Sequence, residues 1–398
     1  MIAVDAAELL DLSDPDVVAD PYPAFAALRA EAPVAWHSGL GIWVATSHAA
    51  CSQVLRERAL GRIFRPREPD HEWETFNWLH ADSILDSEPP KHTRLRRLVQ
   101  SAFSRGHVSR LGPRIEELTA GLLDDCADHL DADGSFDVIA DLAEPLPVLV
   151  IAELLGWPEA DRHLLRPWSQ AIVKMYELNR TPEQEAEAVV ASAEFAAYVE
   201  SLAAERVSGH GDDLLSDLVA VRDGGDRLST HELVATAVLL LNAGHEASVN
   251  GFGNGLASLL ASGADPGAPE PLVEEMLRHD SPLHLFERTA TADVELHGVT
   301  VRAGQKVAAL LGAANRDPAV FAEPDRFVAD RDPNPHLAFG AGIHFCLGAP
   351  LARMELQITT RALLERLGPL EVVEAARRPT FVLRGYDRLV VARADLST

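Results

Sequence analysis

Ten residues decide how this chain is interpreted: Phe339-Gly340-Ala341-Gly342-Ile343-His344-Phe345-Cys346-Leu347-Gly348. Glycines surround the single cysteine, and glycine permits backbone conformations and close approaches of a flat group that other residues forbid. A helix that begins after Cys346 would aim its unpaired N–H groups at the sulfur and favour the thiolate. We therefore expect a cysteine suited to a soft metal ion. The alternative is a small buried hydrophobic residue, the common fate of a free cysteine.

This stretch resembles the cysteine loop of the cytochrome P450 family, the haem-thiolate monooxygenases. The family pattern is Phe-Gly-x-Gly-x-(His or Arg)-x-Cys-x-Gly, and every fixed position matches. The resemblance implies haem b as cofactor, with Cys346 as the ligand of its iron, since haem is one centre that takes a single cysteine. It also implies that four further residues of the loop contact the haem: Phe339, Gly340, His344 and Gly348.

Composition limits the class of protein. The chain has 398 residues, 47% of them hydrophobic, which is ample for a large core. The formal charge is −26, so phosphate backbones and anionic membranes should repel it, and neither nucleic acid nor membrane partners are expected. Three scattered cysteines fit a reducing compartment. The N-terminal residues carry no basic segment followed by an apolar run, so we expect a soluble, cytoplasmic protein. The resemblance implies the soluble bacterial type of the family, and we expect a monomer.

The periodicity of the sequence predicts one mainly α-helical domain over residues 1–398, with a minor sheet. The resemblance implies the P450 fold, with a long central helix over the haem. Helices are predicted at 23–31, 92–104, 110–131, 138–156, 160–177, 183–207, 270–279 and 348–367. Strands are predicted within 33–46, 288–310 and 380–393, and a loop over 60–85.

The longest predicted helix begins after Ser229. Ser229 and Glu232 have the spacing of a capping box, in which each side chain bonds the backbone N–H of the other residue. No proline follows until after Leu260, so the helix should run that far.

One face of this helix carries small residues. Leu240, Ala243, Ala247 and Gly251 fall on the same side, and Gly244 costs about 1 kcal/mol relative to Ala inside a helix. Such a face indicates either that a large flat group packs there or that another helix approaches closely. The helix alone leaves both interpretations open.

The same stretch resembles the family motif Ala-Gly-x-(Asp or Glu)-Thr, where oxygen is activated. Ala243, Gly244 and Glu246 match, whereas Ala247 stands where the family usually has Thr. Ser248 does not simply replace the missing hydroxyl, because one residue turns the side chain by about 100°. The resemblance implies that this segment is catalytic, with protons supplied by a substrate hydroxyl, by ordered water or by Glu246.

Two further motifs resemble structural and haem-binding segments of the family. Glu275 and Arg278 match Glu-x-x-Arg, an i,i+3 pair that can form a salt bridge, and Arg326 occupies the place of the arginine that completes it. The resemblance implies that the three hold the core beneath the cysteine loop. Taken alone, the pair could equally be an ordinary surface salt bridge.

His92 and Arg96 resemble the family segment His-x-x-x-Arg. They lie on one helix face and, with Arg288 and His344, would donate to the carboxylates of the haem propionates. The alternative is a solvated basic helix start.

Basic residues on the other side of this helix suggest a partner surface. Arg94 and Arg97 point away from His92, and Arg353 lies beyond the cysteine loop. In an acidic protein they are a candidate patch for an acidic iron–sulfur partner, with an ordinary charged surface as the alternative.

The resemblance places substrate contacts at 66–85, 172–176, 239–243 and 283–286, and at the tip near residue 386. The large apolar candidates there are Trp78, Met175, Leu240, Leu283, Phe286 and Tyr386. A hydrophobic small molecule of moderate size fits these residues best, although core packing explains each of them equally well. Steroids, terpenoids, fatty acids, polyketides and aromatic compounds all stay candidates.

The function implied by the resemblance is that of a monooxygenase. It would insert one oxygen atom of O2 into a hydrophobic substrate, with electrons passing from NAD(P)H through a ferredoxin reductase and a ferredoxin. Two alternatives are kept: a peroxide-driven peroxygenase, and a non-catalytic haem protein that binds or senses a ligand.

Overall fold

The computed structural model is mainly helical, as predicted, and describes residues 4–103, 106–207, 211–221 and 225–394. The α-helices are α1 Pro15–Ala19, α2 Tyr22–Glu31, α3 His48–Arg56, α4 Asp70–Ala81, α5 Lys91–Phe103, α6 His107–Asp133, α7 Pro145–Leu155, α8 Leu165–Val173, α9 Pro182–Arg206, α10 Leu214–Ala220, α11 Thr230–Ser262, α12 Pro269–His279, α13 Leu311–Ala314 and α14 Ala349–Leu367. Residue 104, the last of the helix predicted at 92–104, lies outside the described residues.

The described residues also contain ten short strands. They are β1 Val34–His37, β2 Ile42–Ala45, β3 Leu60–Gly61, β4 Ser135–Asp137, β5 Leu285–Ala290, β6 Val294–Leu296, β7 Val299–Val301, β8 Lys306–Leu310, β9 Leu370–Arg377 and β10 Tyr386–Arg393. Five form a sheet in the order β1-β2-β8-β5-β3, three form a sheet in the order β4-β10-β9, and β6 pairs with β7. The minor sheet content matches the sequence prediction.

The chain divides into two compact units, which are described separately; the single domain expected over 1–398 stays a prediction. The cysteine-loop unit comprises the described residues within 1–61, 119–143 and 247–398. It contains the sheets, α12 and α14, and a hydrophobic core to which Leu256, Met276, Leu356 and Leu389 contribute. The core is built from apolar side chains of the helices and of β10, whose burial supplies most of the stability of such a unit.

The helical unit comprises residues within 62–118 and 144–246. Its α8 and α9 are joined by aromatic contacts, among them Trp168 stacked on Phe195 with ring centroids 5.2 Å apart. The capping box predicted at the start of α11 is confirmed. Glu232 N–H donates to Ser229 Oγ at 3.2 Å, and Ser229 N–H donates to Glu232 Oε2 at 2.9 Å.

The loop predicted over 60–85 is wrong, because this segment contains α4. Trp73, Phe76 and Leu79 are buried and lie three residues apart on one face. Charged residues between them mask the helical period in the sequence. The prediction also missed β9, whose side chains are mostly exposed and therefore lack the apolar alternation of a half-buried strand.

None of the helices that the structure describes is both apolar enough and long enough to pass through a lipid bilayer.

Candidate active site

The cysteine loop is closed by hydrogen bonds of its own backbone. Cys346 N–H donates to the carbonyl of Phe339 at 3.0 Å, so the ten-residue stretch turns back on itself. Gly340 and Gly342 have φ of 69° and 72°, which glycine adopts without strain. At Gly342 a Cβ would lie 2.4 Å from the carbonyl oxygen of Leu55, so no larger residue fits there.

Cys346 differs from the other two cysteines in its surroundings. Cys51 and Cys126 are fully buried, whereas Cys346 is partly exposed. Burial raises the pKa of the Cys51 thiol far above its ordinary value and, with nearby carboxylates, that of Cys126 to about 12. Both therefore stay protonated thiols. The partial exposure of Cys346 contradicts its interpretation as a buried hydrophobic residue.

The sulfur lies at the start of a helix, as the sequence predicts. Gly348 is the N-cap of α14, and a Cβ on it would lie 4.0 Å from the Sγ of Cys346. The N-terminal N–H groups of a helix favour a negative sulfur nearby. A partly exposed sulfur in a glycine-rich loop at a helix N-terminus fits a flat cofactor whose metal takes one thiolate.

The salt bridge beneath the loop is buried. Arg278 donates through Nε to Glu275 Oε2 at 2.6 Å and through Nη2 to Oε1 at 2.7 Å, and both side chains are 0% exposed. Arg278 also donates to the carbonyl of Asn315 at 2.8 Å, and Asn315 Oδ1 accepts from Leu337 N–H at 2.7 Å. The pair is thereby connected to the start of the cysteine loop, which supports the predicted structural role.

The third arginine of this group is Arg331 and not Arg326, so that prediction is wrong. Arg331 Nε donates to both oxygens of Glu275, at 3.2 Å and 3.0 Å. The side chain of Arg326 is 67% exposed and pairs with Glu323, while only its backbone carbonyl accepts from Arg278, at 3.1 Å. The two arginines lie in an irregular loop, where spacing along the chain does not tell which side chain turns inward. The signal available in the sequence was that a second arginine, Arg331, lies five residues after Arg326.

The predicted small face of α11 is accessible over part of its length. Leu240, Ala243 and Ala247 keep solvent access, whereas Gly251, the fourth predicted residue, is buried. Gly244 is partly exposed as well. Gly244 also permits close helix packing, since a Cβ there would lie 2.9 Å from Cδ1 of Ile151 in α7. Close helix packing is thereby confirmed at Gly244, while a large flat group against the accessible residues stays a prediction.

The polar residues of this segment are buried. Glu246 and Ser248 are buried on either side of the partly exposed Ala247, so Ser248 does not take the place of the missing threonine. His245 is fully buried, with Nδ1 3.4 Å from Oγ of Ser169 in α8. The catalytic roles of these residues stay predictions.

The predicted haem-binding face of α5 is partly buried. His92 is buried and Arg96 half-buried on one side, while Arg97 is exposed on the other. A solvated helix start is therefore contradicted at His92. Arg94 forms ion pairs with Glu232 and with another acidic residue, which removes it from the candidate partner patch.

Arg288 and Phe286 are neighbours on β5. Arg288 is buried, donates through Nη1 to the carbonyl of Glu287 at 3.0 Å, and lies with its guanidinium carbon 4.4 Å from the ring centroid of Phe286. His344 is half-buried in the cysteine loop. Donation from Arg288 and His344 to propionates stays a prediction.

Arg353 supports the cysteine loop. It donates through Nε and Nη2 to Glu274 at 2.6 Å and 2.9 Å, and its guanidinium carbon lies 4.4 Å from the ring centroid of Phe339. Burial raises the pKa of Glu274, but hydrogen bonds from His336 and Arg353 outweigh it and bring the value to about 2. Arg353 is thus committed to an ion pair. Arg97 is exposed, and its part in a partner surface stays a prediction.

The predicted substrate residues fall into two groups. The partly exposed ones are Trp78, Leu240, Leu283 and Phe286, and the buried ones are Met175 and Tyr386. Tyr386 packs in the core, with the guanidinium carbon of Arg377 3.8 Å from its ring centroid. This position argues against a substrate contact, because a core side chain is not accessible.

The structure adds Leu383 to the accessible group. Leu383 and Leu283 face each other in an isolated antiparallel bridge, and both are partly exposed while their sequence neighbours are buried. Side chains directly opposite each other lie on one face. The alternation of apolar residues near 380 was the signal for a strand here, but not for the pairing.

Comparisons with known proteins agree with this geometry. A sequence profile described as Cytochrome P450 matches residues 270–378. The chain is 41% identical over 393 residues to cytochrome P450 monooxygenase PikC of Streptomyces venezuelae, covering 94% of this chain and 92% of that one. It is 37% identical over 404 residues to 6-deoxyerythronolide B hydroxylase of Saccharopolyspora erythraea, covering 96% and 98%.

Solved structures show the same architecture. P450BioI in complex with an acyl carrier protein ligated to hexadec-9Z-enoic acid superposes with a TM-score of 0.89 at 32% identity, over 96% of this chain and 99% of that one. Myxobacterial CYP267B1 with myristic acid superposes with a TM-score of 0.85 at 37% identity, over 98% and 99%.

Proposed function

Because this chain belongs to the cytochrome P450 family and is a monooxygenase enzyme of that family, we propose that it oxidises a hydrophobic small molecule with electrons from a ferredoxin. The observation that carries the proposal is the partly exposed Cys346, held in a glycine loop at the N-terminus of α14. Oxygen insertion into a C–H bond is the expected reaction.

Family membership implies a haem iron cofactor, and the residues present fit it. Cys346 would bind the iron, and Gly340 and Gly342 adopt positive φ without strain in the loop that carries this cysteine. Propionate donors would be His344, Arg288, His92 and Arg96. When bound, thiolate-ligated haem supplies activation of O2 for insertion of one oxygen atom.

The residues of the chain hold substrate and protons. Ala243 and Ala247 present only methyl groups at accessible positions, which leaves room for O2 and substrate. Glu246 directly precedes Ala247 on α11, and its side chain would relay the protons that the reaction consumes. The absent hydroxyl at 247 would be supplied by ordered water or by a hydroxyl on the substrate.

An apolar substrate is supported by the accessible side chains. Within the cysteine-loop unit, Leu283, Leu383 and Phe286 offer hydrocarbon surface, and apolar surface binds apolar molecules. Two structural neighbours were solved with fatty acyl groups bound or attached, which supports such a ligand for this chain.

The test compares electron sources. Haem-loaded protein would be incubated with myristic acid or testosterone and either NADPH, ferredoxin reductase and ferredoxin, or hydrogen peroxide. We expect product and substrate-dependent O2 uptake in the first mixture only. Product with peroxide alone would favour a peroxygenase, and ligand binding without O2 uptake from any source would favour a sensor.

A further inference from the structure

A buried charged cluster lies behind the Leu283–Leu383 pair, and we propose that its central residue, Asp280, positions this pair against the substrate. Asp280 immediately follows α12 and is itself buried. The inference rests on the proposed function, because the pair determines specificity only if an apolar molecule is oxidised beside it.

Asp280 gathers donors from three distant parts of the chain. Its Oδ1 accepts from Tyr22 Oη at 2.7 Å and from Arg384 Nε at 2.8 Å, and its Oδ2 accepts from Arg377 Nη2 at 2.6 Å. Tyr22 begins α2, Arg377 ends β9, and Arg384 precedes β10. Hydrogen bonds to a buried charge are among the strongest in proteins, so these segments are fixed relative to one another.

The cluster is connected to the leucine pair through both of the segments that form the bridge. Asp280 lies three residues before Leu283, and Arg384 directly follows Leu383. Two backbone hydrogen bonds of 2.9 Å bracket the pair, from Arg384 to Pro282 and from His284 to Val382. Since side chains alternate along extended chains, the leucines face one way and Arg384 the other. A shift of the cluster therefore moves the leucines directly.

The cluster also ties the pair to the helix that carries the small accessible face. Asn254 lies two turns beyond Ala247 on α11 and is fully buried. Its Oδ1 accepts from Arg377 Nη1 at 2.7 Å, and its Nδ2 donates to the carbonyl of Arg384 at 2.8 Å. The spacing between the leucine pair and Ala247 is thereby held by side-chain bonds rather than by apolar packing alone.

The charges of the cluster hold Asp280 and His284 in one protonation state each near neutral pH. Burial raises the pKa of Asp280, but Arg377 and Arg384 outweigh it and hold the value well below its ordinary range. Burial, together with Arg384, lowers the pKa of His284 to about 3, so this imidazole is neutral near pH 7. Loss of the Asp280 carboxylate would remove the ion pairs of the buried Arg384 and the half-buried Arg377 and would endanger folding.

Tyr22→Phe is therefore the variant of choice. It removes one donor to Asp280, together with the 3.4 Å contact between Tyr22 Oη and His284 Nε2. It keeps the ring, whose centroid lies 3.6 Å from the guanidinium carbon of Arg316. Tyr198→Phe is the matched control, because Tyr198 Oη donates to Asp161 at 2.5 Å within the helical unit and has no part in the cluster.

The first measurement is hydrogen–deuterium exchange of haem-loaded protein in peptides covering 280–286 and 381–386. Loss of one charge-assisted bond should raise exchange in both peptides about 5-fold in Tyr22→Phe and leave it unchanged in Tyr198→Phe. Unchanged exchange in Tyr22→Phe would overturn the proposal.

The second measurement is binding, followed by the optical shift of the haem, with myristic acid, testosterone and 4-phenylimidazole as probes. In Tyr22→Phe the ratio of Kd values between a flexible and a rigid probe should change about 3-fold or more, with the spectrum of the reduced carbon monoxide complex preserved. If exchange rises while the ratios of Kd values stay unchanged, Asp280 only stabilises the fold, and its proposed role in positioning the leucine pair is wrong.

If the wild type binds neither myristic acid nor testosterone, the proposed substrate class fails. The proposed positioning of the leucine pair is then tested by the Kd of 4-phenylimidazole, which binds haem iron directly. A changed Kd for 4-phenylimidazole in Tyr22→Phe supports the inference, and an unchanged one contradicts it.

Discussion

Replacement of Arg331 by leucine tests the buried ion pair beneath the cysteine loop. Arg331 is 8% exposed and donates to both oxygens of Glu275, which is itself 0% exposed. It also donates through Nη1 to the carbonyl of Ala322 at 2.7 Å. Arg326 lies five residues earlier in the same loop with a side chain that is 67% exposed, so Arg326→Leu is a matched control.

The size of the effect follows from what the variant leaves behind. Glu275 keeps Arg278 as a partner, so the loss is smaller than the roughly 3–5 kcal/mol of a fully unpaired buried charge. The lost bonds to a charged group still amount to about 3 kcal/mol. With an unfolding entropy of about 2.1 cal/mol/K per residue over 398 residues, this corresponds to a fall in Tm of roughly 4 °C. The exposed pair of Arg326 is worth at most about 1 kcal/mol, or roughly 1 °C.

Thermal unfolding of the haem-loaded proteins, followed by circular dichroism and by the Soret band, measures both variants. We expect Arg331→Leu to lower Tm and to release haem at a lower temperature, with Arg326→Leu close to wild type. Equal Tm values for the two variants, or a larger loss in Arg326→Leu, would refute the assignment of Arg331.

Three further changes test other parts of the account. Ala247→Thr should alter the fraction of NADPH used for product, and identical coupling would contradict a role for the missing hydroxyl. Gly342→Ala should lower Tm and haem content, since a Cβ there meets a backbone carbonyl at 2.4 Å; Gly41→Ala, also at positive φ but with nothing within 4 Å, is the control, and equal losses would refute the steric argument. Burial raises the pKa of Glu355 from 4.5 to about 8, so the folded state keeps a proton that the unfolded state releases, and stability falls as pH rises from 4.5 to about 8. Glu355→Gln should abolish that fall in urea titrations across this range, and a fall that persists would contradict the burial of a protonated acid.

Local signals in the sequence predicted the long helices well. The capping box at Ser229 and the absence of proline fixed the extent of α11, because both act within a few residues. Helix α4 was missed since its buried face is interrupted by charged residues, which only tertiary packing reveals as the solvent side. The pairing of β5 with β8 and β3 likewise depends on contacts between distant parts of the chain.

The site shows the same division. The conformation of the cysteine loop depends on its own glycines, so the place of Cys346 just before a helix could be predicted from ten residues. The resemblance assigned the third arginine to Arg326, and an irregular loop has no period that would mark Arg331 as the inward residue. Tyr386 was expected at the substrate and lies in the core, since a large aromatic side chain suits both places equally.

The central claim is that the sulfur of Cys346 binds haem iron. The most direct test is the absorption spectrum of the reduced carbon monoxide complex in wild type, Cys346→Ala, Cys51→Ala and Cys126→Ala. We predict the strongly red-shifted Soret band of a thiolate complex in wild type and in both buried-cysteine variants, and its loss in Cys346→Ala alone. A red-shifted band that survives in Cys346→Ala, or is lost in one of the other two variants, would contradict the account.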